Sequence, residues 1–436
     1  MIHPIDYRYG SPHMRTIFEE DTRIQLLLDV EAAIALAHAR LGHIPQEAAD
    51  EIAAKARLGI VPKDDILAEE KKINHDIMAM VKVLAAQCGE WGRYVHFGAT
   101  SNDINDTASA IQFRDALALV LEQVAALKAV LERQARTHIG TVCVGRTHAQ
   151  HAIPTTYGMK FALFLDELMR NEERLRMALS HNTGKVAGAV GTMASYDDGI
   201  AMREEVGRIL GIPMAPITNQ VVARDIYAEI LTDLALLASL LDKMATEVRN
   251  LQRTEIGEAA EGFKKDQVGS STMPHKKNPI SSEKTCGLAR ILYGNVIPAL
   301  LNNVLWHERD LSNSAPERAI IPESFILMDE MLRCMVSVYG DLVLFPESIG
   351  RNLRLTGGKN LAEAVMIALT KKGASRQDAH EILRSIALSG DDFVAAVKGN
   401  ADVKAFLSDD ELDALLVPER YIGEARRLVE DVLSRV

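Results

Sequence analysis

Between Gly257 and Pro279 the chain concentrates three glycines, two prolines and four lysines, and it ends Gly269-Ser270-Ser271-Thr272-Met273-Pro274-His275-Lys276-Lys277-Asn278-Pro279. Hydroxyls, an imidazole, two ammonium groups and a carboxamide fall within nine residues of one another, from Ser270 to Asn278. Such a set suits a flap that closes over a bound anion. A connection this long inside a compact domain is a lid, a binding loop or a disordered linker. Phe263, Val268 and Met273 recur through it as apolar anchors, which favours the flap.

Three further stretches carry chemistry. Gly145-Arg146-Thr147-His148-Ala149-Gln150-His151-Ala152-Ile153-Pro154 places two histidines three apart. They read as metal ligands or as polar residues at a helix entry. With no Cys, Asp or Glu at ligand spacing, no metal is expected. An imidazole titrates near pH ~6.5, so it can hold and donate a proton around neutrality. His96-Phe97-Gly98-Ala99-Thr100-Ser101-Asn102-Asp103 reads as a helix cap, and the N–H groups and hydroxyls of a cap also favour anions. Trp306 to Arg318 gathers Arg309, Ser314 and Arg318. These are either exposed charges at a helix junction or the local cationic cluster that an anionic ligand requires in an acidic chain. The formal net charge is -11, which argues against general binding of nucleic acid or an anionic membrane.

The elements that position these groups read as helices. Alanine and leucine dominate and aromatics make up only 5%, which favours helix over sheet; strand signals are weak throughout. A first helix is expected from about residue 19 to 40, with Ile24, Leu27, Leu28, Glu31, Ile34 and Ala35 at helical spacing. Pro45 and Pro62 open the next two, and Asn74-His75-Asp76 is placed on a helix. Thr100 or Ser101 caps a helix reaching about residue 136. Ile230, Leu234, Leu237, Leu241, Met244, Val248 and Leu251 alternate steps of four and three, as do Ile321, Phe325, Met328, Leu332, Met335, Tyr339 and Leu342. That rhythm implies a bundle of long, near-parallel or antiparallel helices. We therefore expect an all-α protein with three helical domains: 1–98; a central long-helix bundle at 99–350, carrying the loop 257–279; and 351–436. Apolar stripes on more than one side of the long helices point to a homo-oligomer with a helical core. Cys88, Cys143, Cys286 and Cys334 have neither a metal rhythm nor a pairing pattern and read as free thiols. With no basic leader followed by an apolar run, and no span of about 18 apolar residues, the expected location is the cytoplasm.

The stretch from Gly269 to Pro279 resembles the signature of the fumarase and aspartase superfamily, whose members eliminate fumarate or a close relative of it from a substituted succinate. The Thr100-Ser101-Asn102-Asp103 run and the Arg309 to Arg318 cluster look most like the adenylosuccinate lyase family. The resemblance implies Ser270 as general base, with Lys276 and Asn278 on a substrate carboxylate. It implies His148 as general acid beside Thr147. Thr100 and Ser101 grip the succinyl carboxylates, with His96 close by, and the His75–Asp76 pair contributes to binding and catalysis. Many relatives carry arginine where this chain has Asn74, so one positive contact is absent there or is supplied elsewhere. Arg8 and Tyr9 match phosphate contacts, Arg309, Ser314 and Arg318 the nucleotide side, Gln220 a substrate-binding glutamine, and Glu283 a carboxylate beside Lys276. The family implies no cofactor, and a homotetramer in which three subunits complete each site. Alternatives are another lyase of the superfamily, acting on argininosuccinate, aspartate or malate, or a non-catalytic helical scaffold.

Overall fold

The computed structural model describes residues 3–262, 273, 275–390 and 392–436. It is all-α apart from two short antiparallel pairings of strands. The helices begin with α1 (Pro12–Phe18), α2 (Glu20–Arg40), α3 (Gln46–Lys55), α4 (Lys63–Ile73) and α5 (Asp76–Gln87), followed by α6 (Ser101–Thr137). Strands β1 (Val142–Thr147) and β2 (Gln150–Thr156) lead into α7 (Tyr157–His181), α8 (Gly199–Leu210) and α9 (Asp225–Leu251). A two-residue strand β3 (Ala259–Ala260) comes next, then α10 (Ile280–Leu301) and α11 (Ser314–Gly340). Strand β4 (Val343–Leu344) pairs with β3, and seven shorter helices run from α12 (Pro346–Arg354) to α18 (Ala425–Leu433). The four-three rhythms lie on α9 and α11, 27 residues each, or roughly 40 Å of helix at 1.5 Å per residue, except that Leu342, the last of the second set, falls beyond the end of α11 at Gly340.

The chain divides into two compact units. One comprises Met1–Val124, Asn171–Ser239 and Gly287–Arg333, the other Ala125–Arg170, Leu240–Cys286 and Cys334–Val436. The division falls inside α6, α7, α9, α10 and α11, so each unit takes one stretch of each.

In the first unit α2 buries Leu27, Leu28, Ile34 and Ala37 in a cluster with Ala48 and Ile52 of α3, Ile77, Met80 and Leu84 of α5, and Met202 and Val206 of α8. Burying each Leu or Ile contributes about 1.5–3 kcal/mol. Phe325 of α11 stacks on Phe18 and Phe113 at 5.5 and 5.9 Å between ring centres. In the second unit Tyr339 of α11 is fully buried; its hydroxyl donates to the Met244 carbonyl at 3.0 Å, and its carbonyl accepts from Gln134 Nε2 at 2.7 Å. Val365, Leu369, Leu383, Phe393, Val397 and Leu412 form a separate apolar cluster among the C-terminal helices.

Two expectations need correcting. Asn74 and His75 are not inside a helix, although Asp76 is the first residue of α5. Asn74 ends α4 in the left-handed region (φ 53°), and His75 caps α5, its Nδ1 accepting from Met78 N at 3.4 Å. Asn tolerates that conformation better than most side chains, because its short amide can bond locally, and the chain turns there. Gly145 to Pro154 is likewise no helix entry but a hairpin. Thr147 pairs with Gln150, leaving His148 and Ala149 as a two-residue turn with φ 52° and 60°, the backbone signature of a type I′ turn. A bulge between Val144 and Arg146 falls at Gly145, where a Cβ would lie 2.7 Å from the Ile153 carbonyl oxygen.

Candidate active site

The first unit holds the larger share of the expected residues. At the N-terminus Arg8 is exposed, and the chain around Tyr9 is anchored from both sides. Arg15 Nη1 donates to the carbonyls of Tyr9 and Gly10 at 3.0 Å, and Gly10 N donates to Glu330 at 3.2 Å. His96 sits in the 95–100 loop with φ 60°. Its backbone N–H and its Nδ1 both meet the buried carboxylate of Glu31, at 3.1 and 2.7 Å. Thr100 N donates to Asp103 Oδ2 at 2.9 Å at the entrance to α6, where Ser101 is the first residue. Asp103 is itself fully buried. It is paired with the equally buried Lys185 and accepts from Ala187 N and Gly188 N at 2.9 and 3.1 Å.

A second group gathers at the start of α11. Arg309 Nη1 donates to Gln220 Oε1 at 3.2 Å, and Gln220 N donates to the Glu308 carbonyl at 3.2 Å. Arg318 Nη2 donates to Asp76 Oδ2 at 3.0 Å, joining two expected residues that are 242 positions apart. Arg309, Ser314 and Arg318 line one cavity of about 290 Å³ with Arg23, Asn102 and Asn313. Arg224 also lines it and is otherwise buried, bonded to Asp106 (2.9 Å twice) and to Glu317 (2.8 and 3.3 Å), both of which line the cavity too. Burial works against the charge of Arg224, yet Asp106 and its neighbours hold the guanidinium well above its usual range. Arg309 is shifted downward, chiefly by its own burial, and its Nε has no partner among the described residues. A half-buried guanidinium with an unused N–H, beside a serine at a helix N-terminus, is suited to binding an oxyanion.

The second unit carries the proton-transfer candidates. Thr147 and His148 are exposed at the hairpin tip. The strand leading into the turn is fixed by Arg146, which is ion-paired with the buried Glu258. That carboxylate also accepts from the Tyr157 hydroxyl and from Asn352 Nδ2, each at 2.8 Å. Burial would raise the Glu258 pKa, but Arg146, Asn352 and Tyr157 together bring it below the ordinary value. The His151 pKa is lowered by burial and by Arg146. Lys276 is exposed, its N–H donating to the Met273 carbonyl at 3.0 Å, and Asn278 and Glu283 flank the start of α10. Glu261 ties that start down, accepting from Ser282 N and Oγ at 2.7 and 2.6 Å. Ser270 lies outside the described residues, as do Phe263 and Val268.

Sequence reasoning missed the buried charges that hold these groups: Glu31, Asp103 with Lys185, Asp106 with Arg224 and Glu317, and Glu258. One signal was available, since Glu31 occupies a position in the apolar stripe of α2, where a carboxylate needs a partner to be buried.

Residues 6–294 match a family model described as Lyase, and residues 358–432 one described as Adenylosuccinate lyase C-terminus. An adenylosuccinate lyase of Pyrococcus abyssi is 54% identical, with 100% of this chain and 98% of that protein covered. One of Methanothermobacter thermautotrophicus is 47% identical over 99% of this chain and 98% of its own length. Among solved structures, a fumarate lyase from Mesorhizobium sp. BNC1 superposes with TM-score 0.90 at 31% identity, covering 98% of each chain. A 3-carboxy-cis,cis-muconate lactonizing enzyme from Pseudomonas putida gives TM-score 0.90 at 32% identity, covering 99% of this chain and 98% of the other.

Proposed function

The chain belongs to the lyase family whose model spans residues 6–294, and from that membership we propose how its residues divide the work of one elimination. The reaction is the β-elimination of fumarate from adenylosuccinate to leave AMP, with the same elimination from the succinyl-aminoimidazole-carboxamide ribonucleotide of purine synthesis. The observation that carries this reading is full-length identity of 54% to an adenylosuccinate lyase.

The chemistry requires a weakly acidic C–H proton next to a carboxylate to be removed. As it leaves, negative charge builds on that carboxylate and the C–N bond breaks, its electron pair going to the amine nitrogen. Ser270 takes the carbon-bound proton and His148 delivers one to the departing nitrogen. A serine hydroxyl is a weak base in water, so exclusion of solvent and nearby positive charge must favour its alkoxide. Lys276, Asn278, Thr100 and Ser101 stabilise the developing charge, a preorganised contribution of about 2.7–4 kcal/mol for a well-placed donor. His75, Asp76, His96, Thr147 and Gln220 position the substrate, and Glu283 supports Lys276. Arg8, Tyr9, Arg309, Ser314 and Arg318 take the phosphate, for which guanidinium forks are better suited than ammonium groups.

We further infer a cytoplasmic homotetramer in which segments from three subunits complete each site, and three helical domains bounded near residues 98 and 350. Among the described residues no helix is long and apolar enough to cross a membrane. The direct test is ultraviolet monitoring of the purified protein with adenylosuccinate, argininosuccinate, aspartate and malate in turn. Turnover of adenylosuccinate is expected; turnover of one of the others in its place overturns the assignment.

A further inference from the structure

His96 is held in a way that its neighbours in the loop are not. It is a non-glycine residue in the left-handed region, at φ 60°, where an L side chain crowds its own backbone. One carboxylate meets both its main chain and its ring: Glu31 Oε2 accepts the His96 N–H at 3.1 Å, and Glu31 Oε1 lies 2.7 Å from Nδ1. Glu31 has no exposed side-chain surface and projects from a helix face otherwise occupied by Leu27, Leu28 and Ile34. A carboxylate in such a place is costly unless it is paired, so its retention there requires a reason.

We propose that Glu31 is a positioning residue for His96, fixing where the ring proton resides and presenting Nε2 as the nitrogen available to substrate; this rests on the reading of His96 as a substrate-binding residue. A carboxylate can only accept, so in the neutral ring the hydrogen is on Nδ1 and Nε2 is bare; in the charged ring both nitrogens donate. Among the described residues Nε2 has no hydrogen-bond partner. The loop just after it is secured independently. His38, one face-repeat along α2, has Nε2 2.9 Å from the Phe97 carbonyl and must donate to it, and Ser195 Oγ donates to the Gly98 carbonyl at 2.6 Å. The ring therefore has little freedom to exchange its two nitrogens.

The charged groups that bear on the ring act in one direction. Burial opposes the imidazolium, but the hydrogen bond and charge of Glu31, with Asp103 behind it, more than offset that and raise the His96 pKa. From the other packed elements, Lys185 is already paired with Asp103, Tyr196 is pushed upward by burial and by Asp103, and His38 is lowered by burial. A raised pKa means that the cation persists to higher pH and is lost as pH rises through the shifted value. His96 thus offers a positively charged Nε2–H to an anionic substrate over a wider range than a free imidazole does.

The experiment is a ¹⁵N titration of histidine-labelled full-length protein, with His96 assigned by His96→Gln, alongside kcat and KM for adenylosuccinate against pH. In the wild type the neutral ring should carry its hydrogen on Nδ1. In Glu31→Gln the His96 midpoint should fall by about one unit, tenfold in proton affinity. The high-pH limb of kcat/KM should move to lower pH by the same amount, with KM rising near neutrality while kcat changes less than about threefold. The opposite tautomer in the wild type overturns the inference without any Glu31 variant being needed. So does a Glu31→Gln protein, folded by its melting curve, whose midpoint and pH limb match the wild type. An unchanged KM in His96→Gln would instead remove the substrate-binding reading of His96, and the ring titration would still decide what Glu31 does.

Discussion

The loop around His96 and the hairpin around His148 place a histidine by opposite means. Both residues have left-handed backbones, at φ 60° and 52°. His96 is gripped at its own ring and main chain by a buried carboxylate, and the next helix entry is pinned through Asp103 to Lys185. His148 is exposed at a turn of a hairpin that is tied to Glu258 through Arg146, two residues before it, and Tyr157, nine residues after it. The first arrangement suits a group that must hold a ligand in one pose. The second suits a group that must meet a reacting atom and then release it. Positioning strength is therefore concentrated where binding is proposed, and His148, proposed for proton transfer, stands at the exposed end of a well-anchored hairpin.

The largest expected effect tests the hairpin side of that contrast. His148→Ala and Ser270→Ala should each lower kcat by about 10²–10⁴, the usual contribution of a general acid or base, with KM little altered; steady-state kinetics checks this. If KM rises instead and kcat holds, the proposed roles are interchanged. On the pinned side, Asp103→Ala leaves Lys185 charged and unpaired in the interior. It should cost about 3–5 kcal/mol of stability, as breaking a buried pair generally does, read as a lower denaturant midpoint. Next, Arg309→Ala should raise KM by about 10- to 100-fold, equivalent to the 1.5–3 kcal/mol of a charge-assisted hydrogen bond, with a smaller change in kcat. The smallest effect is the coupling between Asp76 and Arg318. Arg318 is 67% exposed, and a double-mutant cycle on stability should give under about 1 kcal/mol.

The same contrast separates what was legible in the sequence from what was not. The four-three stripes on α9 and α11 and the start of α6 at Ser101 were readable because periodic apolar burial leaves a local pattern. The cationic cluster near Arg309 was readable because a net-acidic chain must gather positive charge to bind an anion. The hairpin was not, since its turn uses His148 and Ala149 in place of the Asn-Gly or Asp-Gly pairs that announce left-handed turn residues. The break at Asn74 was hidden for a related reason: helical spacing resumes immediately after it in α5. Glu31, Asp103, Asp106 and Glu258 escaped because their partners lie 65 to 118 positions away, and a single charged residue gives no sign of which distant one will meet it.

The division between holding and reacting is tested most directly by titrating adenylosuccinate into Ser270→Ala by calorimetry while following the ultraviolet absorbance of the same sample. The account predicts binding within about threefold of the wild-type KM, since removing a reacting group leaves uniform binding intact, with no fumarate released on the timescale of many wild-type turnovers. Loss of binding in step with loss of turnover, or elimination at the wild-type rate, would contradict it.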